Sequence, residues 1–133
     1  MKKGEIYEGR VQEVLFPDKA IVVTDEGETA QVKYGIPGQK LRFRVKKKRK
    51  EKIEGILLEI LEKSADETAC LCEWAGKCGG CLYQTLPYEK QLAIKEAQIK
   101  KMLDNGGTDY TFEGIVSSPV VSGYRNKVEL TFG

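Results

Sequence analysis

The chain has 133 residues and a formal net charge of +2, with 41% hydrophobic and 32% charged residues. That length and balance are typical of one ordinary folded domain or two very small ones, and they argue against a disordered chain. The sequence contains no run of 18 or more apolar residues, so it predicts no membrane-spanning segment.

The first part of the chain reads as five short strands. Apolar and polar residues alternate in "EIYEGRVQEVLF", "KLRFRVKK" and "KIEGILLEILEKS", which is the pattern of half-buried strands. The segment "KAIVVTDEGETAQVKY" contains two β-rich runs joined by "DEGE", a hairpin signal. Five strands with tight turns and no helix predict a small closed barrel of the OB type. Closure would remove the exposed strand edges of a small open sheet.

A strongly basic stretch crosses the last two predicted strands. "RFRVKKKRKEK", residues 42–52, contains eight basic residues and one acidic residue. A charge run of this kind is often only a solvated surface. This one connects two segments with strand patterns. A basic hairpin that binds a phosphate backbone is therefore the favoured interpretation. The predicted contacts are Arg42, Arg44, Lys46, Lys47, Lys48, Arg49 and Lys50.

All four cysteines of the chain lie in "CLCEWAGKCGGC", residues 70–81, and the chain has no histidine. The start, "MKKGEIYEGR", lacks the apolar segment of a secretory signal, so we expect a reducing cytoplasm, where clustered cysteines favour metal or redox chemistry over disulfides. A zinc site usually needs two C-x₂-C knuckles, and an iron–sulfur cluster takes several thiolates from one loop. The spacing leaves zinc and iron–sulfur open, with a thioredoxin-like redox pair less favoured.

The clearest helix is "LPYEKQLAIKEAQIKKMLDNGG", which we expect to begin at Pro87 and to end at Asn105-Gly106. Its predicted buried face is the stripe Tyr88, Leu92, Ile99 and Leu103. The last segment alternates Val128, Leu130 and Phe132 with polar residues, which predicts a half-buried strand. Since no partner strand follows it, we expect the chain to be the N-terminal part of a longer protein.

The segments "CEWAGKCGGCLYQ", "YEKQLAIKEAQIKKML" and "GYRNKVEL", in this order, resemble the 5-methyluridine RNA methyltransferases, the bacterial 23S rRNA (uracil-5-)-methyltransferase family. The resemblance implies a TRAM domain, which is an OB-like barrel that binds RNA, followed by C-x₅-C-G-G-C. That motif supplies three ligands of a [4Fe–4S] cluster, here Cys72, Cys78 and Cys81. The fourth ligand is expected downstream of this chain, although Cys70 is a possible substitute.

The resemblance also implies the organisation of the chain: mainly β, then α+β. The expected parts are a five-stranded TRAM barrel over 1–63, an iron–sulfur cysteine loop over 64–86, and one amphipathic helix with the start of a truncated central domain over 87–133. S-adenosylmethionine would bind in the missing domain, so we expect no catalytic residue in this segment. The expected partner is RNA, with rRNA favoured over tRNA, and we expect a cytoplasmic monomer without membrane contact. Further RNA contacts are expected at Tyr124, Arg125, Asn126 and Lys127.

Two alternatives to this family remain. One is a free-standing RNA-binding module stabilised by zinc or by a cluster, with no parent enzyme. The other is a radical methylthiotransferase, which also combines a TRAM domain with a cluster. The second fits poorly, because those enzymes usually place TRAM at the C-terminus and use a C-x₃-C-x₂-C triad.

Overall fold

A computed structural model describes residues 1–70, 72–75, 78 and 80–133. It contains five strands and one helix, and each lies where the sequence predicts it. Their bounds are β1 Ile6–Leu15, β2 Lys19–Val23, β3 Thr29–Lys33, β4 Lys40–Arg49, β5 Lys52–Glu62 and α1 Tyr88–Asn105. Within this described part of the chain, no helix is long and apolar enough to cross a membrane.

The five strands close into a barrel in the order β1-β2-β3-β5-β4, with β1 paired to both β2 and β4. All neighbouring pairs are antiparallel except β3 and β5, which run parallel and pair only through Gln31↔Glu54 and Val32↔Gly55. A small five-stranded barrel of this kind is an OB-like fold. The predicted fold class, mainly β with one helix after the barrel, is confirmed.

The barrel is filled by the inward side chains of the alternating strands. On β4, Leu41, Phe43 and Val45 are fully buried, while the side chains between them face outwards. The alternation predicted for this half-buried strand is confirmed. Seven further core residues come from β1, β2, β3 and the following turn, and Tyr83 and Leu86 of the cysteine loop pack with them. The seven are Val11, Val14, Ala20, Val22, Ala30, Val32 and Ile36.

Gly9 allows β1 to pass close to β2. A Cβ atom at this position would lie 2.6 Å from the carbonyl oxygen of Val23 and 2.7 Å from Cγ1 of Val22. We therefore expect Gly9→Ala to destabilise the barrel by about 1–3 kcal/mol, because one of the two contacts is with backbone that cannot rotate away. Urea denaturation followed by circular dichroism measures the loss. Gln12→Ala, on an exposed side chain of the same strand, is the matched control, and equal stability of both variants would contradict the close approach.

Helix α1 packs on the barrel through a face that the sequence did not predict. Its buried residue is Gln98, whose Nε2 donates to the carbonyl oxygen of Val14 and to the hydroxyl of Tyr83, both at 3.1 Å. The predicted apolar stripe is wrong at Ile99 and Leu103, which are 39% and 38% exposed. Its other two members, Tyr88 and Leu92, are half-buried. The carbonyl at the end of β1 needs a donor when the helix covers it, and a glutamine amide supplies one whereas an aliphatic side chain does not.

The segment after the helix, residues 108–133, has no helix or strand. The predicted strand around Val128, Leu130 and Phe132 is wrong for this chain: all three side chains are exposed. A strand is stable only when a neighbour satisfies its backbone groups, and none of the described strands pairs with it. The predicted domain limits at residues 63 and 86 stay predictions.

Candidate nucleic-acid interface and cysteine loop

The cysteine loop, residues 64–86, is joined to the barrel by the carboxylate of Glu67. Oε1 of Glu67 accepts a hydrogen bond from Nε2 of Gln39 at 2.9 Å and one from the Thr85 hydroxyl at 3.1 Å. Oε2 accepts from the backbone N–H of Ser64 at 2.7 Å. Gln39 is buried, and its own Oε1 accepts from the N–H of Ile36. One carboxylate therefore connects the start of the loop, its end and the barrel.

A second set of contacts closes the base of the loop. The N–H of Thr68 donates to the carbonyl of Thr85 at 2.6 Å, which brings the two sides of the loop together. The buried Tyr83 donates its hydroxyl to the carbonyl of Pro17 at 3.0 Å, and burial raises the pKa of this phenol because it disfavours the phenolate. The thiols between these anchors are thus carried on a loop with a fixed base.

The four cysteines are free thiols; Cys70 is half-buried, and Cys72, Cys78 and Cys81 are exposed. The thiol of Cys70 donates to the carbonyl of Cys72 at 3.2 Å. The N–H of Gly80 donates to Sγ of Cys78 at 3.4 Å, the type of contact expected for backbone that passes close to a sulfur ligand. Gly79, the other glycine of the C-G-G-C motif, lies outside the described residues.

The chemistry of the donor set fits a thiolate-ligated metal centre, since three exposed thiols lie in one short loop. Their arrangement in this structure is not that of a formed centre. In residues 1–70, 72–75, 78 and 80–133, no three Cys, His, Asp or Glu side chains are close enough to hold one metal ion. Cys70 and Cys72 line one cavity, whereas Cys81 lines another beside Glu67.

The basic stretch divides into one residue that is paired with carboxylates, Arg42, and a group of residues without ion pairs in the described part of the chain. Arg42 donates from Nε and Nη2 to Glu8 at 3.0 and 2.8 Å, and from Nη1 to Glu59 at 2.8 Å. The hydrogen bond to Glu8 raises the pKa of the Arg42 guanidinium. These neighbours come from β1 and β5, so the predicted RNA contact at Arg42 already has two protein carboxylates as partners.

The residues without ion pairs form the basic hairpin. We define it as the end of β4 and the first residue of the turn to β5: Lys46, Lys47, Lys48, Arg49 and Lys50. All five side chains are exposed, and Arg49 lies opposite Lys52 in the register. Nζ of Lys48 donates to the carbonyl of Met1 at 2.9 Å. None of the five forms an ion pair with another described residue. Together with exposed Arg44, they form a basic surface, in which Glu54 lies opposite Lys47 in the register without forming an ion pair.

The second predicted RNA-binding group lies beside the cysteine loop. Tyr124 is 64% exposed and lines the same cavity as Cys70 and Cys72. The N–H of Ser118 donates to the hydroxyl of Tyr88 at 2.7 Å, which attaches this segment to the start of α1. Arg125 and Asn126 are exposed, and Lys127 pairs with Glu129 at 3.1 Å. Of this group, the ring of Tyr124 therefore borders the same cavity as Cys70 and Cys72.

Sequence reasoning missed the residues that position the loop, namely Glu67, Tyr83 and Gln98. The sequence contains one weak indication that Gln98 could lie near the buried face of α1: it directly precedes Ile99 of the predicted apolar stripe. No local signal existed for Glu67, because its donors come from positions 39, 64 and 85.

No protein-family model matches the chain. Curated proteins match it over its whole length. A protein of Caldanaerobacter subterraneus subsp. tengcongensis named "Uncharacterized RNA methyltransferase" is 44% identical over 134 residues, which cover 100% of this chain and 30% of the relative. Proteins with the same descriptive name from Clostridium tetani and Clostridium acetobutylicum are 41% and 38% identical, again over 100% of this chain and 29% of each relative.

This chain is a homologue of RNA methyltransferases. The relationship to RNA methyltransferases that the cysteine motif predicted is confirmed. The barrel, the cysteine loop and the helix all lie inside the matched region. The chain spans about 30% of the length of the curated relatives that it matches.

Proposed function

We propose that this chain is the RNA-binding and iron–sulfur region of a longer, S-adenosylmethionine-dependent RNA (uracil-5-)-methyltransferase. Its substrate would be rRNA, with tRNA as the second choice, and the protein would act as a cytoplasmic monomer. The homology to RNA methyltransferases over the whole chain is the observation that carries this proposal. Methyl-donor binding and catalysis are assigned to the rest of that protein.

The RNA-binding role of the barrel is supported by the basic hairpin. Its exposed lysines and arginine lack protein carboxylates as partners in the described structure, so a phosphate backbone can take that place. An enzyme that methylates a base must first expose it, which costs stacking energy. Contacts between the hairpin and the flanking backbone would offset part of that cost.

The cysteine loop would hold the [4Fe–4S] cluster through Cys72, Cys78 and Cys81, with the fourth ligand outside this chain. Cys70 is set apart from the three because it is half-buried and its thiol donates to the carbonyl of Cys72. When bound, the cluster would cross-link the loop. The contacts of Glu67 and Tyr83 with the barrel would then fix the distance between the thiols and the basic hairpin. RNA held by the hairpin is thereby placed relative to the rest of the protein.

Replacing Lys46, Lys47, Lys48 and Arg49 with glutamine tests the RNA-binding role. We expect the affinity for an rRNA fragment to fall at least about tenfold at about 0.1 M salt. The slope of log K against log salt should fall by about 0.7 for each lost contact with single-stranded phosphate. Fluorescence anisotropy at several salt concentrations measures both quantities.

The matched control removes the same number of charges from helix α1 and from the residue that follows β5. Lys63, Lys90, Lys100 and Lys101 are all exposed, and their replacement with glutamine should leave the affinity within about threefold of wild type. An equal loss of affinity in both quadruple variants would mean that RNA binding depends only on the net charge of the protein. The assignment to the hairpin would then be wrong.

A further inference from the structure

A cavity of about 500 Å³ lies where strands β3 and β5 separate. Their pairing ends at Val32↔Gly55, so Lys33 and Tyr34 have no partner on β5. The volume is within the range of small-molecule sites. Its lining combines three lysines with an aromatic and an aliphatic side chain: Lys19, Lys33, Lys46, Tyr34 and Ile56, with Glu54 as the carboxylate among them.

Two of these lysines face each other directly. Lys19 on β2 and Lys33 on β3 are cross-strand partners, and both are exposed on the outside of the barrel. Like charges at directly opposite positions destabilise a strand pair. Neither lysine forms an ion pair with any residue in the described ranges. An anion between the two ammonium groups would remove this repulsion.

Tyr34 has an unusual backbone conformation. Its φ of 67° lies in the left-handed region, and it is the one non-glycine residue there among those that the structure describes. A bulky residue rarely adopts this conformation, and such outliers concentrate at ligand sites. The next residue, Gly35, is held tightly, since a Cβ there would lie 2.5 Å from Cβ of Ala20. Packing therefore fixes the turn, and Tyr34 keeps its side chain 40% exposed at the mouth of the cavity.

We propose that this β3–β5 cavity binds one unpaired nucleotide of the RNA, an inference that rests on the proposed RNA-binding function. The base stacks on the ring of Tyr34 next to exposed Ile56, and its phosphate lies between Lys19 and Lys33. Every base has an aromatic face, so this contact accepts any base. Lys46 belongs both to this cavity and to the basic hairpin, so the two sites are continuous and one strand can occupy both.

The test measures binding of a five-residue oligouridylate to the purified protein by fluorescence anisotropy. Tyr34→Asn removes the ring and keeps a residue that tolerates positive φ, so we expect affinity to fall at least about fivefold while the melting temperature stays equal or rises. The double variant Lys19→Gln with Lys33→Gln should lower the salt slope by about 0.7 for the lost phosphate. Lys90→Gln with Lys100→Gln on α1 is the charge-matched control and should change neither quantity.

The outcomes separate this inference from the proposed function. If the hairpin variant loses affinity while Tyr34→Asn and the lysine pair bind like wild type, the cavity proposal is overturned and RNA binding stands. If wild type binds neither the oligouridylate nor an rRNA fragment at low salt, both proposals fall. Inorganic phosphate alone should compete only weakly; full competition, with Tyr34→Asn unaffected, would indicate an anion site without a base and would overturn the inference.

Discussion

Single replacement of Cys72, Cys78 or Cys81 with alanine is expected to abolish iron and sulfide binding by the complete gene product. Each thiolate would ligate a separate iron, so the loss of one leaves a corner of the cluster without its protein ligand. Removal of a metal ligand also removes folding energy that the metal contributes. Iron and sulfide analysis after purification without oxygen, together with the visible absorption spectrum of the protein, measures the effect.

Cys70→Ala is the control, because Cys70 lies in the same cysteine loop but outside the C-x₅-C-G-G-C motif. It should keep wild-type iron content, and the loss of its hydrogen bond to the carbonyl of Cys72 should have only a small effect on stability. A colourless wild-type protein with one equivalent of zinc would contradict the cluster and favour the zinc-stabilised module. If Cys70→Ala lost as much iron as the Cys72, Cys78 and Cys81 variants, Cys70 would be assigned as a ligand.

The barrel could be predicted because its signals are local. The side chains of Leu41, Phe43 and Val45 alternate with charged ones, and a period of two assigns one face to the core whatever lies opposite. The ends of α1 at Tyr88 and Asn105 follow from the adjacent Pro87 and Gly106 in the same way.

The misassigned face of α1 and the neutralised Arg42 depend on residues far away in sequence. Gln98 is buried because its amide meets Val14, which is 84 positions earlier. Arg42 belongs to a basic run, yet its guanidinium binds carboxylates that arrive from β1 and β5. Neither fact has a signature within one turn or one strand, because partner choice across elements is set by the packing of the whole barrel.

Glu67→Ala is expected to lower the free energy of unfolding by about 2–4 kcal/mol, since it removes the acceptor of several hydrogen bonds. The buried amide of Gln39 loses its acceptor, and so does the N–H of Ser64. Unsatisfied buried donors of this kind carry the full cost of their lost hydration. Urea denaturation of the chain gives the free energy. Hydrogen exchange at the N–H of Thr68 reports whether the base of the cysteine loop opens with it.

Two substitutions make this prediction specific to the carboxylate. Asp66→Ala removes the adjacent acidic side chain, whose ion pair with Lys90 is long at 3.9 Å, and should change stability by less than about 0.5 kcal/mol. Glu67→Gln keeps the shape but must turn an NH₂ group towards one of the donors from Gln39, Ser64 or Thr85. It should therefore destabilise by about 1–3 kcal/mol despite its size. If Glu67→Gln were as stable as wild type, the shape of the side chain alone would hold the loop. If the N–H of Thr68 still exchanged slowly in Glu67→Ala, the base of the cysteine loop would be held by Tyr83 instead.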